Sequence, residues 1–493
     1  MNFSRPNLRD GYRLFHQGTL ALSRMERHGI RIDVDYLDKA IVKVEKQLAV
    51  KEAKFKETDF YDKWRQHFGA EANLASANQL GTLLGSLNVK IGEKTLTLRT
   101  KVDEANLRRL DMDFVQPYLE IKKLWKTLNT YLRGIRREVD EKGYLHPFYN
   151  LASGDDKAGG AESYRGSSSC PNFQNIPIRN KVMQALIRPC FTARKGCYLV
   201  ERDFSGIEVR VAACYTKDRR LIKYIKDPKG GNMHHDMAKK LFGLRDDQVI
   251  KEETRDCAKN MFTFPQFYGS VYFQCAPNIW EAMEKRKFVV GGTNTGIREH
   301  LRKQGVLRLG EEKEWDDPPP DTFLYRVKQV QDFMWNETFV EYTQWKKDWY
   351  RAYCERGWFP LYTGFVCSGY YRRNQVLNFS IQGSAFHCLL KSIILIDGEL
   401  QRRRMRTRLV GQIHDSLLAD VPKDEIQEYL DLSQEVMSER LPEIWKWICV
   451  PIDTEVDVCP IGGSWFDKQG WEKIDGRWRP ANMKKWREAC LKA

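Results

Sequence analysis

Leu409-Val410-Gly411-Gln412-Ile413-His414-Asp415-Ser416-Leu417-Leu418-Ala419-Asp420-Val421 is a pair of apolar runs joined by a polar His-Asp-Ser turn. Runs of this length, rich in branched residues and broken by a turn, predict two paired strands. A tight turn is built at less cost from Gly and Asn than from an acid beside a histidine, so turn chemistry alone does not account for Asp415. A second acid stands in a similar place. Cys197-Tyr198-Leu199-Val200 reads as a buried strand ending near Asp203, with a helix expected to start around Ile207. A carboxylate at such a strand end projects into the crevice where open α/β sheets put ligands. An ordinary helix-start aspartate is the competing reading of Asp203. Ser205 and Glu208 likewise stand at capping-box spacing. If Asp203 and Asp415 converge, their repulsion demands cations, and oxygen ligands with few histidines suit Mg²⁺ better than Zn²⁺.

Between the two acids lie Arg255 and Lys259, four residues apart. On a helix that is one turn, roughly 6 Å along the axis, the spacing of neighbouring phosphates. His234 could add a third donor. A solvated basic helix face has the same pattern. What distinguishes this one is the continuation Phe262-Thr263-Phe264-Pro265-Gln266-Phe267-Tyr268-Gly269. Cations followed by aromatics offer phosphate binding at one end and base stacking at the other.

The rest of the chain sets bounds on these readings. Its 493 residues exceed what one core usually supports, so several lobes are expected. A formal charge of +15 favours a polyanionic partner, nucleic acid first, although a merely soluble basic protein shares that charge. The 12 cysteines form no C-x-x-C pair, and Cys214, Cys257 and Cys388 lie in apolar helical stretches, which suits a reducing compartment and no zinc. Met1 to Leu20 is charged, and the longest apolar run, Ile393 to Ile396, is too short for a bilayer, so no membrane and no secretion are expected.

Apolar positions at helical spacing predict a helix from Asp35 to about Lys56, another around Leu80 to Leu87 capped by Ser76, and a third from Pro117 to Val139. The first 145 or so residues thus read as an elongated helical lobe with a basic surface. Gly154 to Gly160 reads as a loop, after which strands alternate with helices. Thr216 to Trp358 is mostly helical, Glu311 to Asp321 is an acidic, proline-rich surface loop, and a helix carries Phe386, Leu389, Leu390, Ile393 and Ile394 on one face.

At this point the residues carry a family resemblance. Asp203 to Arg210 resembles the first polymerase motif of the family A DNA polymerases, the group of bacterial DNA polymerase I. Arg255 through Gly269 resembles the second, Gln412-Ile413-His414-Asp415 the third, and Tyr164 to Pro177 is similar to the family's G-R-L-S-S-x-x-P-N-L-Q-N-I-P block. Asn378 with Gln382-Gly383 matches its N-x-x-x-Q-G helix, and Met25 to Asp33 resembles the segment before the thumb. The likeness runs from about residue 20 to 467.

The resemblance implies an α+β, right-hand polymerase with an antiparallel-sheet palm and helical fingers and thumb. Its parts would be an N-terminal segment 1–22, a thumb 23–148, a palm 149–215 and 357–467, fingers 216–356 and a tail 468–493. It implies that Asp203, Asp415 and the Phe204 backbone carbonyl hold two Mg²⁺ ions, with Mn²⁺ able to substitute. Arg255, Lys259 and His234 would bind the triphosphate. Tyr268 would stack at the nascent pair, Phe264 would sense the sugar's 3′ side, and Glu208 would exclude ribonucleotides. Arg165, Gln174, Asn175, Asn378, Gln382 and His414 would touch primer and template. The implied activity is template-directed extension of a DNA primer from dNTPs, with primer-template DNA as partner, in the cytoplasm of a bacterium or phage-infected cell, an organelle being left open. The rivals are a single-subunit RNA polymerase, against which Glu208 argues, and a catalytically silent DNA-binding protein, against which the four charged residues Asp203, Asp415, Arg255 and Lys259 argue together.

Three departures from the family pattern stand out. Ser416 replaces the glutamate that usually follows the third-motif aspartate, and Asn374 stands where an arginine is common, beside Arg372 and Arg373. Lys259 to Tyr268 is nine residues where the family has eight, with Pro265 inside. One inserted residue turns a helix by about 100°, so a bulge or kink is expected there, with Phe264 rather than Thr263 in the aromatic slot. Because the pre-thumb segment begins within about 25 residues of Met1, no proofreading exonuclease is expected in this chain, and a separate exonuclease or replication factor is the partner that would supply it. The tail carries eight Lys or Arg against three Asp or Glu, and Trp471, Trp478 and Trp486. Those tryptophans either pack a terminal helix on the palm or meet DNA or a partner.

Overall fold

A computed structural model of the chain describes residues 6–89, 102–108, 110–151, 161–178, 180–227 and 232–493. The loop expected at Gly154 to Gly160 lies outside the described residues. The central feature is a six-stranded sheet of β1 (Cys197–Phe204), β2 (Arg408–Ile413), β3 (Ser416–Pro422), β4 (Thr454–Cys459), β5 (Gln469–Ile474) and β6 (Arg477–Pro480). Its order is β6-β5-β4-β1-β3-β2, every neighbour antiparallel. β3 is buried along its whole length, which explains why its sequence is a continuous apolar run and not an alternating one.

Helices pack around this sheet. The long helix Arg373–Arg402, one of five labelled below, buries Phe386, Leu389, Leu390 and Ile393 in the main core. It is long and apolar enough to cross a membrane by length and composition alone, but 72% of its apolar window is buried inside the protein. Gly383 on this helix lies so close to Ser163 that a Cβ would stand 2.3 Å from that residue's carbonyl oxygen, so only glycine lets the two segments meet.

The labels are α1 (Leu8–His28), α2 (Val34–Lys56), α3 (Ile207–Thr216), α4 (Met233–Phe242) and α5 (Arg373–Arg402). α2 is capped by Asp33, whose side chain accepts from the Tyr36 N–H, and the helix Ala77–Ser86 is capped by Ser76 as its sequence implies. The expected third helix runs Val115–Trp125, passes through a π-helical turn at Lys126–Leu132 and continues over Arg133–Glu138. These helices share a second core around Phe55, Trp64 and Tyr118, with Phe60 stacked on Phe114 at 3.7 Å. Among the described residues, Thr216 to Trp358 is mostly helical as expected, and the acidic segment from Glu311 is a short turn and loop pinned by Arg308 to Glu314 and Asp321.

The tail is more than a terminal helix. β5 and β6 form a hairpin that extends the sheet, and only then does the helix Met483–Lys492 follow. Trp478 is buried 4.9 Å from the Arg202 guanidinium and donates to Asp431, while Trp486 packs on Trp471 at 5.1 Å.

Candidate active site

Asp203 lies one residue before the end of β1, paired directly with Ser416 of β3 on one side and Glu455 of β4 on the other. Directly paired residues share a sheet face, so Ser416, Asp203 and Glu455 form a row. The turn between β2 and β3 meets the same strand end, because the Phe204 N–H donates to the Asp415 carbonyl oxygen at 3.3 Å. The Asp203 carboxyl, open to solvent on its cleft side, is pushed up to about 7 by burial of its inner side, then by Asp415 and Glu201, with Lys468 opposing. Burial and then Glu208 push Asp415 up to about 6, with Arg165 opposing. Two acids in such surroundings hold excess negative charge that a cation would relieve.

Ser416 does not reach toward this charge; its hydroxyl donates back to the Ile413 carbonyl at 3.0 Å. Glu455, whose carboxylate accepts from Ser205 Oγ at 3.2 Å, is a neighbour that sequence reasoning missed. The only signal for it was the alternation Thr454-Glu455-Val456-Asp457-Val458. The capping box that the spacing of Ser205 and Glu208 allows does not form. Gly206 occupies the cap with φ +64°, and no side chain caps α3. A left-handed residue there lets the chain turn sharply into the helix, which frees Glu208 to accept from the Tyr268 hydroxyl.

His414, with φ +51°, begins the turn. Arg165 Nη2 lies 3.5 Å from its Nδ1. Gln174 Nε2 donates to Gln412 Oε1 at 2.7 Å, and Gln412 Nε2 donates to the His414 carbonyl at 2.9 Å. Gln174 is buried, with its amide nitrogen in this relay, while neighbouring Asn175 is exposed. Gln412 emerges as a support of the turn, its own N–H bonded to the Tyr149 hydroxyl at 3.1 Å.

Across the cleft, the cation helix contains the expected irregularity twice. Lys251–Arg255 and Lys259–Thr263 are π-helical turns around Asp256–Ala258, and Phe264–Phe267 resumes the α-helix. A π turn absorbs one extra residue. Thr263 is fully buried, and its hydroxyl has no hydrogen-bond partner among the described residues. Phe264 instead lines a pocket with Glu208, Tyr268, Asn378 and Gln382. Asn378 Nδ2 donates to the Tyr268 carbonyl at 3.1 Å.

His234, from α4, meets Phe264 edge-on at 5.3 Å, and Lys259 Nζ sits 5.4 Å from the same ring. Burial, then Lys259 and Arg255, push His234 down to about 3, so its imidazole is neutral, and its buried Nδ1 has no partner among the described residues. Arg255 bonds Asp256 at 3.2 Å. Lys259 and Arg255 thus lie near enough to His234 for their charge to bear on its ring. Among the described residues no group of three or more His, Cys, Asp or Glu is placed to hold a metal. Asp203 and Asp415 offer oxygen donors of the kind Mg²⁺ takes, an ion that keeps waters and substrate phosphates among its ligands. Asn374 packs against Gly269, about 3.0 Å from where a Cβ would stand.

An antiparallel sheet bearing paired acids at a cleft, flanked by one helical lobe before it and another inserted within it, defines the right-hand polymerase fold. Comparison with known proteins agrees. The sequence profile of DNA polymerase family A matches residues 40–286 and 364–467, and the chain belongs to that family. It is 26% identical over 451 residues to DNA polymerase I of Lactococcus lactis subsp. lactis (strain IL1403), covering 90% of this chain and 44% of that protein. It is 23% identical over 514 residues to the DNA polymerase of Bacillus phage SP01, covering 91% of this chain and 50% of that one. The chain therefore spans half or less of the length of these relatives. In fold it is similar to the POL domain of Pol1 from M. smegmatis in complex with DNA primer-template and dNTP, with a TM-score of 0.68, 23% identity, and coverage of 91% of this chain and 70% of that one.

Proposed function

We propose that this chain extends a DNA primer along a DNA template, adding deoxynucleotides from dNTPs and releasing pyrophosphate. The observation that carries the reading is the meeting of Asp203 and Asp415 at one strand end, opposite Arg255, Lys259 and His234. Names of relatives support it, since they are DNA polymerases. Asp203, Asp415 and the Phe204 carbonyl would hold two Mg²⁺ ions, which when bound supply Lewis-acid stabilisation of the attacking and leaving oxygens.

The chain's own side chains do the rest. Arg255 and Lys259 hold the triphosphate by charge, and a polyanion beside His234 offsets the cationic field that, after burial, keeps its ring neutral. Phe264 and Tyr268 form the wall on which the incoming base stacks. Glu208, held by the Tyr268 hydroxyl, fills the space beside the sugar and leaves little room for a 2′-hydroxyl. Arg165, Asn175, Asn378, Gln382 and His414 are the primer and template contacts, and buried Gln174 acts on them through Gln412. Minor-groove acceptors are nearly the same for every pair, so such contacts check shape without reading sequence.

Primer extension with separate dNTP and NTP pools tests the reading. Extension from dNTPs alone supports it, whereas extension from NTPs alone would assign the chain to RNA synthesis. A 3′-mismatched primer incubated with Mg²⁺ and no dNTPs tests for a nuclease. Mononucleotide release that survives Asp415→Asn would give this chain a second metal site.

A further inference from the structure

We infer that the hairpin of β5 and β6 is a DNA-backbone contact, with Arg477 and Arg479 reaching phosphates of the bound primer-template duplex. The inference rests on the polymerase reading above. It starts from strand register. Val456 pairs with Arg202 on one side and Trp471 on the other, so these three side chains share one face of the sheet. Alternation puts their neighbours Asp203, Glu455 and Glu472 on the opposite face. Arg479 is paired with Glu472, and Arg477, two residues away, points the same way. Both arginines therefore stand on the face that carries Asp203.

The other face fixes the hairpin in place. Trp478 lies against buried Arg202 and donates to Asp431 at 2.8 Å, and Lys473, its ladder partner, reaches the same carboxylate at 2.7 Å. Arg477 and Arg479, in contrast, are exposed and make no ion pair among the described residues. An arginine's planar fork loses less freedom per hydrogen bond than a lysine's ammonium does, and here it is carried on a strand that the other face holds in place. Three strand spacings separate Arg479 from Asp203, about 14 Å. That is too far for the reacting phosphate, which Arg255 and Lys259 serve. It is within the footprint of a duplex lying over Asp203, which carries a charge about every 1.7 Å of its axis. The matched part of the family profile ends at residue 467, before the hairpin begins, so this contact would be an addition to the shared fold.

Equilibrium binding of the full chain to a dideoxy-terminated primer-template, measured across a salt series, tests the inference. Arg477→Gln with Arg479→Gln should lower the log–log salt slope by about 1.8 and weaken binding roughly tenfold near physiological salt. Arg477→Lys with Arg479→Lys should restore most of the slope. Lys484→Gln with Lys485→Gln, in the helix packed on the opposite face, should leave it unchanged. A slope equal to the parent's in the Arg→Gln variant overturns the inference. So does an equal fall in the Lys484/Lys485 variant, which would show only general charge attraction. Single-turnover extension at saturating DNA is run on the same proteins: its absence in the parent would overturn the polymerase reading, whereas its persistence with an unchanged slope would overturn the hairpin contact alone.

Discussion

Glu455 faces Asp203 directly across the β4–β1 ladder, on the side away from Ser416. Its charge is one of those that raise the Asp203 carboxyl, after burial, Asp415 and Glu201. A raised acid binds metal in competition with protons. Apparent Mn²⁺ affinity should rise by up to about tenfold per pH unit for each proton displaced, and level off above pH of about 7. Glu455→Gln should move that plateau to lower pH. Manganese titrations followed by electron paramagnetic resonance would refute the assignment if the profile were flat from pH 5 to 8.

The same shift has a stability sign. The folded, metal-free protein binds protons at Asp203 and Asp415 that the unfolded chain has released, so these groups favour folding at low pH. That contribution is lost as pH rises from the ordinary carboxyl range toward about 7 and about 6 respectively. Asp203→Asn should therefore melt higher than the parent at pH 7.5 in EDTA and gain nothing at pH 3.5. Calorimetry showing the gain at both pH values would remove Asp203 from this role.

Asp203→Asn and Asp415→Asn should each slow extension by about a thousandfold or more, the kinetic equivalent of several kcal/mol of metal-derived stabilisation. Primer-template affinity should stay within about threefold, because cations carry most of it. Rapid-quench kinetics with either variant near the parent rate would end the metal assignment.

Phe264, and not Thr263, occupies the pocket beside Glu208 and Tyr268. In the family that the sequence resembles, a tyrosine in the aromatic slot favours dideoxynucleotides. Phe264→Tyr should thus make chain terminators compete better in extension ladders. The register fails if Thr263→Tyr has that effect and Phe264→Tyr does not.

Glu208→Ala opens the space beside the Tyr268 hydroxyl. Ribonucleotide incorporation should rise roughly 10- to 200-fold relative to deoxynucleotide, the range that crowding of a small group provides. Unchanged discrimination would move the sugar check elsewhere.

What the sequence disclosed follows from how local each signal is. The strands around Asp203 and Asp415 were legible because buried strands are continuous apolar runs. The π turn at Lys259–Thr263 was legible as one surplus residue before Tyr268. Ser205 and Glu208 left two readings open, because capping spacing and a pocket-facing glutamate look alike until the left-handed Gly206 is known. Gln174 stood only as an expected primer and template contact, and nothing local announced its bond to Gln412, 238 residues away. Glu455 was hidden for the same reason: a ladder partner 252 residues from Asp203 leaves no local trace. In the tail, three tryptophans suggested a packed helix, but nothing local announced that Trp471 and Trp478 belong to strands.

The turn between β2 and β3 has only His414 and Asp415 between the paired residues Ile413 and Ser416. A strand alternates its faces residue by residue, so one insertion or deletion would swing Asp415 to the wrong side. The cation helix behaves otherwise, storing a surplus residue in its π turn and returning Tyr268 to the cleft. Related chains that differ in length within this site should therefore show their gaps between Lys259 and Tyr268, and keep the His414–Asp415 interval unbroken.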